Sequence, residues 1–158
     1  MYKMKYYVTR EGYNKLYEEY LNIDNEIIET NKLMGESVKR DNDLRENPEF
    51  MELRVKVMYE LPARKKSLWD KWNLAIVIED TEEYKNFDGI TVIRGCSVKI
   101  NIDDEECQYQ IKGSDEGNID EDILSCDAPL AQVLLGKKVG EKVVFNDMKI
   151  EIFSVERI

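Results

Sequence analysis

The 158-residue chain is 42% hydrophobic and 35% charged, the balance of a globular protein with a large solvated surface. No run approaches the roughly eighteen apolar residues of a membrane span, and MYKMKYYVTREGY at the N-terminus lacks the apolar core of a signal peptide, so a cytoplasmic protein with no membrane contact is expected. With no histidine, Ser-His-Asp and Cys-His nucleophile arrangements and Cys/His zinc sites are excluded, and any chemistry must run on carboxylates, with or without a metal.

The net charge of −10 is uneven: residues 1–74 hold 14 Lys/Arg against 14 Asp/Glu, which leaves 9 of the 23 basic and 19 of the 33 acidic residues for 75–158. A neutral half and an acidic half read as two units, 1–75 and 76–158. The acidic unit is a poor partner for free DNA or RNA, because it cannot neutralise phosphates and release their counterions. Cys96, Cys107 and Cys126 form no C-x-x-C pair and read as reduced thiols. Neither G-x-x-x-x-G-K-[ST] nor G-x-G-x-x-G is present, so no nucleotide-cradling loop is signalled.

From Thr9, a good N-cap residue, apolar side chains recur at Tyr13, Leu16, Tyr20, Ile23, Ile27 and Met34, with Thr30 in the missing step. This 3,4 spacing is the a/d seam of a coiled coil. A second helix starts where Asn47 can cap, Pro48 suits the first helical position and Glu49 complements the dipole. Its apolar positions are Phe50, Leu53, Val57, Leu61, Leu68 and Trp72. The two helices, joined at residues 40 to 47, predict an antiparallel hairpin roughly 40 Å long. Pro62 lies inside the second helix and predicts a kink or a break there.

After residue 75 the period changes. AIVIED, GITVIRGCSVKINI, CQYQIKG, KVVFND and KIEIFSVERI read as strands, separated by turn signals such as FDG, DDEE and GSDEG. DAPLAQVLLGKKVGE reads as one short helix, with Pro129 near its start and Gly136 at its end. The fold class predicted is α+β, a helical coiled-coil hairpin followed by a small antiparallel sheet with one short helix.

The hairpin tip, RDNDLRENPEF, places Asp41, Asp43 and Glu46 within six residues, at the point expected to lie farthest from the globular unit. Three readings compete. Asp41, Asn42, Asp43 and Asn47 suit a turn and a cap on local hydrogen-bonding grounds. A calcium loop would use Asp41, Asp43 and Glu52 as positions 1, 3 and 12, but Arg45 and Glu46 stand at positions 5 and 6, where glycine is needed at 6. Alternatively Asp43 and Glu46, three apart, converge on one divalent ion. Two carboxylates are a weak site for Mg²⁺, so this reading makes the tip half of an active site, completed by a partner that holds a metal and a phosphodiester.

The tip DLRENPEF, the earlier VTREGYNKL and the later APLAQVLLGKKVGE closely resemble, in order and along the whole chain, three segments of the GreA/GreB family of bacterial transcript cleavage factors. The resemblance implies an FKBP-like globular domain that binds RNA polymerase at the rim of its secondary channel, and a hairpin inserted toward the active site. It implies that Asp43 and Glu46 help to hold a second Mg²⁺ shared with the polymerase. The polymerase's own centre then cleaves the 3′ RNA of a backtracked complex, and the factor is not itself an enzyme. By the same correspondence Lys39 and Arg54 contact the extruded RNA, and Asp127, Ala128 and Pro129 contact the polymerase. A monomer is expected, and the neutral hairpin is nearer to GreA than to GreB.

Each of these positions also has a plainer reading. Lys39 and Arg54 can be ordinary exposed charges, and Asp127 can be a helix cap with Pro129 in the first turn. The family commonly has glycine where Asn42 stands, and Asn42 tolerates a left-handed turn better than most residues. Asp41 adds a further negative charge. Relatives with altered tips inhibit transcription without stimulating cleavage, so an inhibitor that competes for the channel is the main alternative. A prolyl isomerase is conceivable by fold analogy alone, without a legible aromatic pocket, and a coiled-coil adaptor is the structural alternative.

Overall fold

The structure, a computed structural model, describes residues 5–158. Its contacts divide the chain into two units, Asn14–Leu74 and a second one made of Ala75–Ile158 with the N-terminal segment up to Tyr13. The segment before Asn14, which the sequence reading counted with the hairpin, therefore belongs with the globular unit.

In the first unit, α1 (Arg10–Arg40) runs to the tip and the chain returns through α2 (Pro48–Val55) and α3 (Leu61–Leu74). The seam is the predicted one: Ile23, Leu61 and Leu68 are buried, with Leu16, Tyr20 and Ile27 packed against them. The antiparallel register is fixed by pairs that step down the two arms. Tyr17 stacks on Trp72 and Tyr20 lies against Trp69, at 5.3 Å between ring centroids in both cases. Lys65 pairs with Asp24 at 2.6 Å, and Glu26 receives both Lys56 and Arg64.

Pro62 neither breaks the arm nor ends it. A single π-helical turn, Lys56–Glu60, joins α2 to α3, and the Leu61 N–H donates to the Lys56 carbonyl, five residues back. Proline has no N–H to give to residue 58 and its ring crowds that carbonyl, so a widened turn just before it absorbs both defects. A π turn thus stands just before the proline where a kink or break was predicted, and the helix does not break there.

In the second unit, five strands lie in the order β5-β4-β3-β7-β6: β3 (Cys96–Ile102), β4 (Glu105–Lys112), β5 (Ile123–Ser125), β6 (Lys142–Phe145) and β7 (Met148–Arg157). Two tight hairpins use paired positive-φ residues, Asp103-Asp104 and Asn146-Asp147, whose short polar side chains tolerate that conformation. The register of β3 on β7 shifts between Lys99 and Ile100, where Phe153 is left over. That extra residue lets Ile150, Ile152 and Val155 all face the core with Cys96, Val98 and Ile100. The short helix α5 (Pro129–Leu134) closes the core with Ala131 and Leu134.

Three features depart from an all-antiparallel sheet with one helix. β5 joins β4 in parallel, and β1 (Tyr6–Val8) pairs in parallel with β2 (Ala75–Val77) as a separate ribbon. A four-residue helix, α4 (Glu82–Lys85), follows β2. Strands of three residues have too little periodicity to be legible in a sequence.

The first turn of α1 is held by acidic side chains of this unit. Thr9 caps it, accepting from the Gly12 N–H at 3.0 Å. Glu116 accepts from the Thr9 N–H, the Thr9 hydroxyl and the Gly113 N–H, and both oxygens of Glu79 accept from the Arg10 N–H. A Cβ on Gly113 would overlap the Tyr7 carbonyl oxygen and the Val8 Cα, backbone atoms that cannot step aside. Gly113→Ala is therefore expected to cost about 1–3 kcal/mol, read as a lower denaturation midpoint; an unchanged midpoint would refute the close approach.

Asp88 builds the turn before β3. Its carboxylate accepts from the Thr91 hydroxyl at 2.6 Å and from the Ile90 and Thr91 N–H groups. Those bonds, the Thr91 hydroxyl foremost, hold its pKa at about 2 against the usual 3.8. The folded state thus binds the proton less well, so the contribution is complete above 3.8 and is lost as the pH falls from there to about 2. Asp88→Asn should flatten the stability profile in that window, measured by denaturation at stepped pH. A variant as acid-sensitive as the parent would count against it.

Candidate functional site

The tip is a chain of side-chain-to-backbone bonds. The Asp43 N–H donates to Asp41 Oδ1 and the Arg45 N–H to Asp43 Oδ1, each at 3.1 Å, two Asx turns in succession. The Glu46 N–H donates to the Asp43 carbonyl at 3.1 Å, closing a β-turn from Asp43 to Glu46. The two residues therefore stand at the ends of one turn, with Cα atoms within about 7 Å of each other by the definition of such a turn. Asp41 is a turn builder, one carboxylate oxygen committed to the backbone. Asn42 is not among the residues with positive φ, so the turn does not need glycine at that position.

All six residues from Asp41 to Glu46 are exposed. Asp43 Oδ2 and the Glu46 carboxylate make no hydrogen bond or ion pair, so three oxygens remain to bind something outside the chain. Among the described residues no three acidic or cysteine side chains converge closely enough to hold a metal. The donor set is a pair, which suits an ion with most of its ligands supplied elsewhere. Lys39 and Arg54 are exposed on α1 and α2, and neither is engaged in an ion pair. Arg45 projects from the turn between the two carboxylates in sequence and is exposed as well.

Below the exposed turn lies a buried polar pair. Ser37 is 1% and Asn47 4% exposed. The Asn47 amide donates one hydrogen to the Asp41 carbonyl (3.0 Å) and the other toward Ser37, where it is shared between the carbonyl (3.2 Å) and the hydroxyl (2.9 Å). Its oxygen accepts from the Phe50 N–H at 3.0 Å and from the Ser37 hydroxyl at 3.1 Å. Asn47 is the expected cap of α2, with Pro48 in the first turn. Its bonds to Ser37 were not foreseen, because Ser37 sits ten residues upstream at a seam position with no apolar signal. The Arg40 guanidinium adds a 2.8 Å contact to Glu49 across the base of the tip.

In the globular unit, Ser125 to Ala128 form a turn, with the Ala128 N–H donating to the Ser125 carbonyl at 3.0 Å. The residue capping α5 is Ala128, which offers no side-chain bond, with Pro129 first in the helix. Asp127 is therefore not the cap: its carboxylate is exposed and meets only the Cys126 thiol, at 3.8 Å. Gln132 reaches back to the Cys126 carbonyl at 2.6 Å and stiffens the turn. Tyr6 is nearby, its phenol pushed up to about 12 by burial first, then by Asp115, with Glu116 and Asp127 adding to it. Burial also pushes up the Cys126 thiol, so it is not a reactive nucleophile. Among the described residues no helix is long and apolar enough to cross a membrane.

The chain is similar to known proteins along most of its length. The family described as "Transcription elongation factor, GreA/GreB, C-term" matches residues 89–157. The chain is 32% identical to the transcription elongation factor GreA of Bacillus cytotoxicus and 34% identical to that of Shouchella clausii, over 96% of this chain and 96% of each relative. Among solved structures it is similar to GreA factor homolog 1 of Thermus thermophilus, at a TM-score of 0.40 and 18% identity over 96% of this chain and 99% of that one. The long, full-coverage matches decide the assignment, and the chain belongs to the GreA/GreB family of transcription elongation factors.

Proposed function

We propose that this chain stimulates RNA cleavage by RNA polymerase in backtracked complexes, the tip of its hairpin entering the secondary channel. The observation that carries this reading is the pair of carboxylates, Asp43 with one oxygen free and Glu46 with both, at the two ends of one exposed β-turn, in a chain of this family.

In this reading Asp127, Ala128 and Pro129 meet the polymerase, and Lys39 and Arg54 lie along the extruded RNA, whose phosphates attract their free charges. Asp43 Oδ2 and the Glu46 carboxylate would supply oxygens to a Mg²⁺ ion shared with the polymerase, and would orient the attacking water. Once bound, the ion lowers the pKa of that water and stabilises charge on the departing 3′ oxygen. Water attacks the phosphorus and gives up a proton, the bond to the 3′ oxygen breaks and that oxygen takes up a proton, so the released fragment carries a 5′ phosphate and a new 3′ hydroxyl is left in place for synthesis. A weak two-carboxylate site suffices because docking makes binding of the ion effectively intramolecular. The free protein is therefore not a nuclease.

Two experiments test the reading. In purified backtracked elongation complexes with labelled RNA, the Asp43→Asn/Glu46→Gln double variant should bind the polymerase as the parent does and lose cleavage by about 100-fold or more. A parent that binds and slows elongation without shortening the RNA would assign the chain to the inhibitors instead. Separately, Asp127→Asn should weaken binding to the polymerase several-fold while shifting folding stability by less than about 0.5 kcal/mol, since this carboxylate caps nothing. Parallel titration and denaturation of that variant read the two effects apart, and unaltered affinity would remove Asp127 from the interface.

A further inference from the structure

We propose that Asn47, braced by Ser37, is the positioning residue of the tip, fixing where Asp43 and Glu46 stand before any ion arrives. The proposal rests on the reading of those two carboxylates given above.

Packing cannot set the shape of this turn. Every residue from Asp41 to Glu46 is exposed, and α2 buries none of its residues. The nearly inaccessible groups at this end of the hairpin are Ser37 and Asn47, both polar. Asn47 touches three pieces of chain at once: the last turn of α1 through Ser37, the first peptide of the tip through the Asp41 carbonyl, and the first turn of α2 through the Phe50 N–H. From Asp41 the bonds continue outward, through its carboxylate to the Asp43 N–H, and from Asp43 to the N–H groups of Arg45 and Glu46. Both proposed metal ligands are thus tied to Asn47 through Asp41 and Asp43.

Only an amide fits this position. It donates two hydrogens to the Ser37 and Asp41 carbonyls and still offers an oxygen to Phe50. A carboxylate of the same shape would cap Phe50 equally well, aspartate and asparagine being comparable caps. It would however point negative oxygen at two carbonyls and donate to neither. Asn47→Asp therefore separates a cap from a clamp.

The test compares the parent with Asn47→Asp and Ser37→Ala, in backtracked elongation complexes and as free proteins. At saturating factor, Asn47→Asp should slow cleavage roughly 10- to 100-fold, as losses of groups that orient metal ligands commonly do, and raise the Mg²⁺ concentration for half-maximal rate. The factor concentration for half-maximal effect should not move, since docking lies with the other unit. Ser37→Ala keeps its carbonyl and should give a smaller loss, about threefold to tenfold. In the free protein, amide exchange at Arg45 and Glu46 should quicken in both variants, a readout that needs no cleavage. Asn47→Asp with the parent's rate, Mg²⁺ requirement and exchange would overturn the proposal and leave Asn47 a cap only. Should Asn47→Asp fail to fold by circular dichroism, Ser37→Ala decides alone, and a parent-like Ser37→Ala would overturn the clamp. If the parent itself does not cleave, the reading of Asp43 and Glu46 fails and the positioning role falls with it. The exchange data would still show whether Asn47 holds the turn.

Discussion

Two helices packed side by side share one seam, and everything else about the hairpin follows from how little that seam can bury. Its core is Ile23, Leu61 and Leu68, while Leu21, Ile28, Met51, Val55 and Met58 stay substantially exposed. Toward the tip the apolar contribution fades and polar groups take over, first Thr30, whose hydroxyl donates to the Glu26 carbonyl at 2.6 Å, then Ser37 and Asn47. Burial of a polar group is tolerable only where its bonding is complete. Asn47 meets that condition with all its amide groups engaged, so the same constraint that deprives the tip of a core gives it a defined shape.

The π turn at Lys56–Glu60 belongs to the same economy of contacts. A proline in a helix with a deep core can be accommodated by bending the helix and repacking its neighbours. Here the helix meets the proline over a thin seam and widens one turn. Widening one turn keeps Leu61 and Leu68 on the seam, and Glu26 on the facing arm ties the turn to the helix beyond it by taking Lys56, the first residue of the π turn, and Arg64, after it. Both bridges are largely solvated, so their value lies more in register than in stability.

What was legible in the sequence follows the same division between local and distant bonds. The seam residues Leu16, Tyr20, Ile23 and Ile27, the Thr9 and Asn47 caps and the two acidic tip residues all obey rules that span four residues or fewer, and the structure places them in the helices and turn expected. Missed were interactions closed by the fold. Glu116 reaches Thr9 across more than a hundred residues, Ser37 reaches Asn47 over ten, and β1 and β5 are too short to show alternation. Asp127 failed as a cap for a related reason: the sequence offered it beside Pro129, but the backbone turns one residue later, at Ala128. Local rules offered a shared divalent ion only as one of three readings of the tip; the resemblance to a family chose among them and named the partner.

The crowding of Asp41, Asp43 and Glu46 now has a physical account. Like charges this close raise one another's cost, and a turn meant only to reverse the chain would do better with fewer of them. The backbone takes one oxygen of Asp41 and one of Asp43 as turn acceptors, so part of the charge is spent on holding the conformation. What is left over, on Asp43 Oδ2 and the Glu46 carboxylate, forms no ion pair with the chain's own cations: Arg40, at the base of the tip, is paired with Glu49, and Arg45, in the turn itself, is exposed and pairs with neither carboxylate. A turn that neutralised itself would have nothing to offer an external ion, and one that gathered a third carboxylate would carry its own. In the proposed function the pair sits between those limits, as a group completed by a partner must.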